Sequence, residues 1–265
     1  MANDIGYILN ANQRSIDRLH KQHQLYEQSS QRLLKDAGLC EGMRVLEVGC
    51  GPGLMTPYLC AAVGDTGHVT ALDAHEHYIE LTQVHTQAYN NIDYLIHDIR
   101  NINELDETYD MIYGRMILHH LSAPEQVLEQ LVCRLKKSGR IVFEEPPALE
   151  HTFSWPKSDC FMRAKQVILE LFEKKRVRYQ IAYTMANVLR QIGLNVIETR
   201  VFQPLLTGEA RLLHVQTLLD FSHNIIDAGI LNESELGALI NELSSALAAA
   251  DCVSLYQMHQ VIAQR

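Results

Sequence analysis

The sequence predicts an α/β protein built on a parallel β-sheet. Three observations carry this. From residue 44 onward, short β-rich runs alternate with longer helical stretches. One strand runs straight into a glycine-rich loop. The 265 residues, 47% of them apolar, suffice for one large core, and 21% charged residues argue against disorder.

The elements follow in chain order. Ile16, Leu19, His23, Tyr26 and Leu33 recur at helical intervals in a polar background, which predicts an amphipathic helix over 14–37 that Gly38 ends. Strands are predicted at 44–48, 68–72, 93–96, 109–113 and 139–143. The stretches 55–63, 75–90 and 124–135 between them are long enough for crossover helices. Residues 144–147 read as a turn. Phe161, Ala164, Ile168, Leu171 and Phe172 then mark a helix extra to a minimal doubly wound sheet. A short helix over 184–192, with Thr184 as its cap and Gly193 as its stop, leads into a strand at 195–202. Two more helices are expected at about 209–228 and 233–250, the second opened by Asn232 with Glu235 three residues on. A last strand spans 255–263. The extra helices lack a Pro/Gly/Ser-rich linker, so one domain with helical additions is simpler than two.

Twenty-three basic against thirty-two acidic residues give a net charge of −9, which disfavours a nucleic-acid binder. Apolar runs end well short of the about 18 residues that a membrane span needs, and no signal-peptide core is present, so a cytoplasmic protein is expected. The six cysteines include no CxxC pair, and the thirteen histidines no HExxH, so no metal is expected.

The strongest chemical signal is Val45-Leu46-Glu47-Val48-Gly49-Cys50-Gly51-Pro52-Gly53, a strand entering three alternate glycines and then a helix. Backbone is open to a small adenosine-containing ligand only where side chains are absent. A dinucleotide loop wants G-x-G-x-x-G/A, but Leu54 occupies the third required position and Gly53 comes one residue early. No Gly-Lys-Ser/Thr follows, which excludes a P-loop.

These residues resemble the class I S-adenosylmethionine-dependent methyltransferases, whose first motif is acidic-x-Gly-x-Gly-x-Gly, here Glu47 to Gly53. The resemblance implies a Rossmann-like seven-stranded, mostly parallel sheet with helices on both faces, an antiparallel last strand and added helices forming a lid. The corresponding organisation is a helical cap over 1–43, a cofactor-binding core over 44–147, a helical insertion over 148–183, and the end of the core sheet over 184–265 with its two-helix insertion. It further implies cofactor contacts from Glu47, Gly49, Cys50, Gly51 and Gly53; from Asp73, with Ala74 beside it, to the ribose hydroxyls; from Asp98 and Ile99 to adenine; and from Arg115. A carboxylate suits a vicinal diol because it offers two acceptors and no competing donor.

The segment from Tyr109 to Leu121 resembles small-molecule methyltransferases near the ubiquinone and menaquinone C-methyltransferases. There the loop ending in His-Leu lies by the methyl group, which makes His120 and His119 candidate general bases beside a purely structural role. Gly6-Tyr7-Ile8-Leu9, Arg18-Leu19-x-x-Gln22 and Asp227-Ala228-Gly229-Ile230 look like one branch of bacterial methyltransferases in which the N-terminal segment covers the cofactor, making Tyr7 and Gln22 candidate contacts. Glu144 and Glu145 stand as bases, partners of a substrate ammonium, or helix-entry acids. Trp155, with Phe153 and Phe161, lines either a substrate pocket or a satellite core. The basic run 174–178 reads as a solvated helix end or as a site for an acidic substrate, partner or membrane surface.

The implied activity is methyl transfer from S-adenosylmethionine to a small organic acceptor, leaving S-adenosylhomocysteine. A protein or RNA methyltransferase and a non-catalytic cofactor-binding sensor stay open, as does a homodimer. Substrate choice is expected to reside in 150–180 and 205–250.

Overall fold

A computed structural model describes residues 13–265. The chain opens with α1 (Gln13–Asp36), then alternates β1 (Arg44–Val48), α2 (Thr56–Val63), β2 (His68–Asp73), α3 (Glu76–His85), β3 (Ile92–Ile96), β4 (Tyr109–Arg115), α4 (Pro124–Cys133) and β5 (Leu135–Glu145). It continues through β6 (Ser154–Trp155), α5 (Asp159–Lys174), α6 (Ile181–Gln191), β7 (Asn195–Phe202), β8 (Leu205–Leu206), α7 (Leu213–Asp220), α8 (Ser222–Asp227), α9 (Glu233–Ala249), β9 (Cys252–Ser254) and β10 (Met258–Gln264).

Seven strands form one sheet in the order β3-β2-β1-β4-β5-β10-β7, and β10 runs antiparallel to both its neighbours. β1 lies inside the sheet between β2 and β4, so Val45, Leu46 and Val48 are fully buried, as expected of a strand covered on both faces. The order reverses between β1 and β4, which opens a crevice at the carboxyl ends of these two strands. The glycine loop lies at that point.

Helix ends follow local chemistry. Gly38 at φ +80° ends α1, with Leu39 N–H bonded to Leu34 C=O, and Gly193 at φ +91° ends α6 in the same way through Leu194 and Leu189. Asn232 and Glu235 form a reciprocal capping box on α9.

The structure differs from the sequence reading at several elements. α6 begins at Ile181, so Thr184 sits inside its first turn and donates back to Gln180 C=O instead of capping. Residues 209–228 are a 3₁₀ turn (Gly208–Leu212) followed by α7 and α8, which break at Phe221. The last strand, expected over 255–263, is β10 and begins at Met258, and the short β9 before it was not expected. β6, β9 and β8 form a second, three-stranded sheet that ties the segment after β5 to the C-terminal part of the chain. β5 runs on through Glu144 and Glu145, which the sequence reading placed in a turn.

The helices added after β5 have a core of their own. Phe161, Ile168, Leu171 and Phe172 of α5 pack with Leu218, Phe221, Leu239 and Leu243 from α7 to α9. Separate apolar clusters fill the two faces of the large sheet. Among the described residues, no helix is long and apolar enough to cross a membrane.

Candidate active site

A cavity of about 470 Å³ lies between the carboxyl ends of β1, β2 and β4, the helix α1, and the added helices. Its sheet side is set by the glycine loop. Cys50 N–H is pinned to Leu72 C=O at 3.0 Å, and Gly49, Gly51 and Gly53 all take positive φ. Each glycine answers a different constraint. A Cβ on Gly49 would lie 2.8 Å from Ile117 Cδ1, and one on Gly53 would lie 2.7 Å from the Thr82 Cα. A Cβ on Gly51 would meet nothing within 4 Å. Gly51 therefore faces open space, while Gly53 is required by packing on α3 and does not line the cavity.

Asp73, at the end of β2, accepts Gly51 N–H through Oδ2 and His75 N–H through Oδ1, both at 2.9 Å. His75 Nδ1 also lies 3.4 Å from Oδ1, so the uncontested lone pair for a ligand hydroxyl is the second one on Oδ2. Glu47, on β1, is buried and accepts the Thr56 hydroxyl at 2.6 Å. Burial pushes its carboxyl up to about 7, against the Thr56 hydrogen bond and the Arg115 charge, with Asp73 adding to the rise. Burial likewise holds the Cys50 thiol far above its usual range. Asp98 lines the cavity, but its carboxylate is clasped by Arg100 Nε at 2.8 and 3.0 Å, which holds it below the usual carboxylate range; Ile99 forms a buried wall beside it.

Arg115 ends β4 and is tethered to α1: its guanidinium reaches Ser30 Oγ at 3.2 Å and His23 Nδ1 at 3.1 Å. Burial, then the Arg115 charge, lowers His23 to about 4, so its ring is a neutral acceptor. Met116, at φ +58°, sits in a backbone region unfavourable to a side-chain-bearing residue; Gln22 Nε2 reaches its sulfur at 2.8 Å.

The loop after β4 brings His119 and His120 together, with ring centroids 4.0 Å apart, and Tyr179 stacks on His119 at 4.9 Å. His119 Nδ1 lies 2.6 Å from Glu145 Oε2. Burial, then His119 and Arg18, pushes His120 well below its ordinary value, which keeps it neutral.

Of the residues singled out in the sequence, Glu47, Gly49, Cys50, Gly51, Asp73, Ala74, Asp98, Ile99, Arg115, Gln22, His119 and His120 all line this one cavity. Tyr7 lies outside the described residues. Glu144 and Glu145 are fully buried and do not line the cavity; Glu144 is held by Tyr113 Oη and Gln260 Nε2. Trp155 and Phe153 are exposed and Phe161 is in the helical core, so none of them lines it. In the basic run, Val177 is buried and Arg178 pairs with Glu125 at 2.8 Å. The opposite half of the cavity is apolar: Ile168 and Phe172 from α5, Phe221 after α7, and Leu149, with Tyr179 and Tyr256. Arg18 also lines the cavity; the sequence marked it only as part of Arg18-Leu19-x-x-Gln22, with Gln22 as the candidate contact, and Tyr256 carried no mark at all.

The comparisons agree with this geometry. A family model described as a methyltransferase domain matches residues 18–199. A demethylmenaquinone methyltransferase from Staphylococcus aureus (strain MRSA252) is 28% identical over 162 residues, 60% of this chain. That match spans 66% of the relative's length. Among solved structures, a Bacillus halodurans C-125 chain superposes with TM-score 0.61 at 14% identity, over 88% of this chain and 96% of that one. Coclaurine N-methyltransferase bound to N-methylheliamine and S-adenosylhomocysteine gives TM-score 0.57 at 18% identity, over 90% of this chain and 72% of that one. These structural likenesses show a shared Rossmann-like fold. Because the family model spans most of the chain, from the helix over the cavity to the seventh strand of the sheet, the chain belongs to the methyltransferase-domain family.

Proposed function

We propose that this protein transfers a methyl group from S-adenosylmethionine to a small organic acceptor. The observation that carries this is the placement of Gly51, open to the cavity, with its N–H on Asp73 and the buried Glu47 behind it. The residues present fit the cofactor. Glu47, Gly49, Cys50, Gly51, Asp73, Ala74, Asp98, Ile99, Arg115 and Gln22 would hold it, with Gly53 setting the loop's packing. When bound, it supplies a sulfonium methyl already activated for displacement.

The chain's own task is then to hold the acceptor in line and keep water out. The apolar half of the cavity does both, which supports a small acceptor, as does the printed name of the Staphylococcus aureus relative. We read the segments 148–183 and 209–250 as the lid over this half. Where the acceptor carries a proton, His119 is the better placed of the two bases: with Nδ1 donating to Glu145, Nε2 keeps its lone pair. His120 stays beside it as a neutral partner.

Calorimetric binding of S-adenosylmethionine, S-adenosylhomocysteine and NAD, with Asp73→Ala alongside, tests the reading. Micromolar binding of the first two that is lost in the variant supports it. Preference for NAD overturns it.

A further inference from the structure

We propose that Tyr179 orients the methyl acceptor by donating its phenolic O–H to a carbonyl oxygen of that molecule. This rests on the reading of the cavity as a methyl-transfer site.

Tyr179 lies between α5 and α6 and lines the cavity. Its ring is clamped: it stacks on His119 at 4.9 Å and is tilted against Phe172, with centroids 4.6 Å apart. The backbone is fixed as well, since Arg178 N–H donates to His119 C=O at 2.9 Å and Tyr179 C=O accepts Ala182 N–H at 3.1 Å. The hydroxyl is not. Tyr179 Oη has no hydrogen-bond partner among the described residues and, unlike the sealed Nη2 of Arg18, it keeps accessible surface. Neighbouring phenols in the cavity wall are engaged: Tyr26 donates to Tyr256 C=O at 2.6 Å and Tyr113 to Glu144 at 2.7 Å, while the Tyr256 hydroxyl turns to the Met116 sulfur at 3.9 Å. An acceptor that fills the cavity displaces water from the Tyr179 hydroxyl, so one that supplies an oxygen there binds better than one that does not.

Two spaces border this side chain, the main cavity and a smaller one of about 330 Å³ edged by Glu150 and Glu173. The groups that act on the phenol are Tyr256, Glu145 and Arg18. Tyr256 and Arg18 line the main cavity and not the smaller one, and neither Glu150 nor Glu173 acts on the phenol, so the hydroxyl belongs to the main cavity. Burial, then Tyr256, raises it well above its ordinary value, so it stays protonated and donates. Because the ring lies flat on His119, a carbonyl held by Tyr179 stands beside the imidazole read above as the base.

The test uses the full chain saturated with S-adenosylhomocysteine and a matched pair of probes, 1-indanone and indane, which differ by C=O against CH₂, followed by calorimetry. Tyr179→Phe removes the hydroxyl and keeps the stacked ring. It should weaken indanone binding about tenfold and leave indane within about twofold. Since Oη bonds nothing in the protein, S-adenosylhomocysteine affinity should stay within about twofold and the melting temperature should not fall. Tyr256→Phe, a second variant that leaves Tyr179 in place, should keep most of the indanone affinity.

Indanone affinity unchanged in Tyr179→Phe overturns the proposal, as does wild type that binds neither probe. Equal losses of indanone and indane, or a lowered melting temperature, would give the hydroxyl a packing role and overturn it too. Loss of indanone in Tyr256→Phe alone would move the oxygen site to Tyr256. If the wild type fails to bind S-adenosylhomocysteine, the methyl-transfer reading fails instead, and the effect of Tyr179→Phe on indanone without it still decides whether Tyr179 holds a carbonyl oxygen.

Discussion

Glu145 Oε2 lies 2.6 Å from Nδ1 of His119, and the other carboxylate oxygen accepts the backbone N–H groups of Ile117 and Leu118 at 2.8 and 2.7 Å. One buried carboxylate thus shapes the loop and fixes which nitrogen of the imidazole carries the proton. In Glu145→Gln an amide NH₂ facing Nδ1 would force the other tautomer. The expected result is a fall in turnover of about a hundredfold with cofactor affinity unchanged, read by steady-state kinetics and calorimetry. Full turnover would leave the pair a purely structural role.

The glycine loop gives a paired contrast. Gly53→Ala drives a Cβ against the Thr82 backbone at positive φ, and should cost about 2 kcal/mol or more of stability, seen as a lower melting temperature. Gly51→Ala adds a Cβ where nothing lies within 4 Å. It should unfold at a temperature closer to wild type and bind S-adenosylhomocysteine at least tenfold more weakly. Equal effects on stability and binding in the two variants would contradict the distinction.

Glu47 predicts a pH dependence. Its folded value of about 7 lies above the ordinary carboxylate value, so the folded state holds this proton more tightly than the unfolded chain does. That stability is fully present below about pH 4.5 and is lost as pH rises to about 7, by about 3 kcal/mol. Glu47→Gln should show a flatter melting temperature over this window than wild type. Parallel curves for the two proteins would place the titration elsewhere. In wild type, a bound cation beside Glu47 should release a proton near pH 6.5, visible as a dependence of the binding heat on buffer ionisation enthalpy.

His120 and His23 should both stay neutral well into acid. Their imidazole signals, followed by NMR, are expected to titrate below the ordinary histidine value, near 4 for His23. His23→Ala removes one of the two acceptors that tether Arg115 to α1 and should weaken S-adenosylhomocysteine binding several-fold. A titration of His120 at about 6.5 would show that it is solvated.

What the sequence revealed depended on how local the cause was. β1, its glycine loop and Asp73 were legible because a strand, a turn and a helix start each leave marks within a few residues. Asn232 with Glu235 was legible for the same reason. The pairing of Arg18 with Asp220 was not, since 202 residues separate them and nothing local to either names the other. β6, β8 and β9, at two or three residues, are too short to show a period of two. For Trp155 the sequence left a substrate pocket and a satellite core open, and its exposure on β6 puts it in neither.

The two halves of the cavity rest on separate apolar cores, one within the sheet and one within the added helices. This separation has a consequence for descent and for engineering. On the proposed function, substitutions at Phe172 or Phe221 alter the wall that would meet an acceptor without touching the packing that holds the glycine loop. Selection can then exchange one acceptor for another while the nucleotide-binding half stays under constant constraint, and a laboratory library restricted to the helical core samples new acceptors at little risk to the rest of the catalyst.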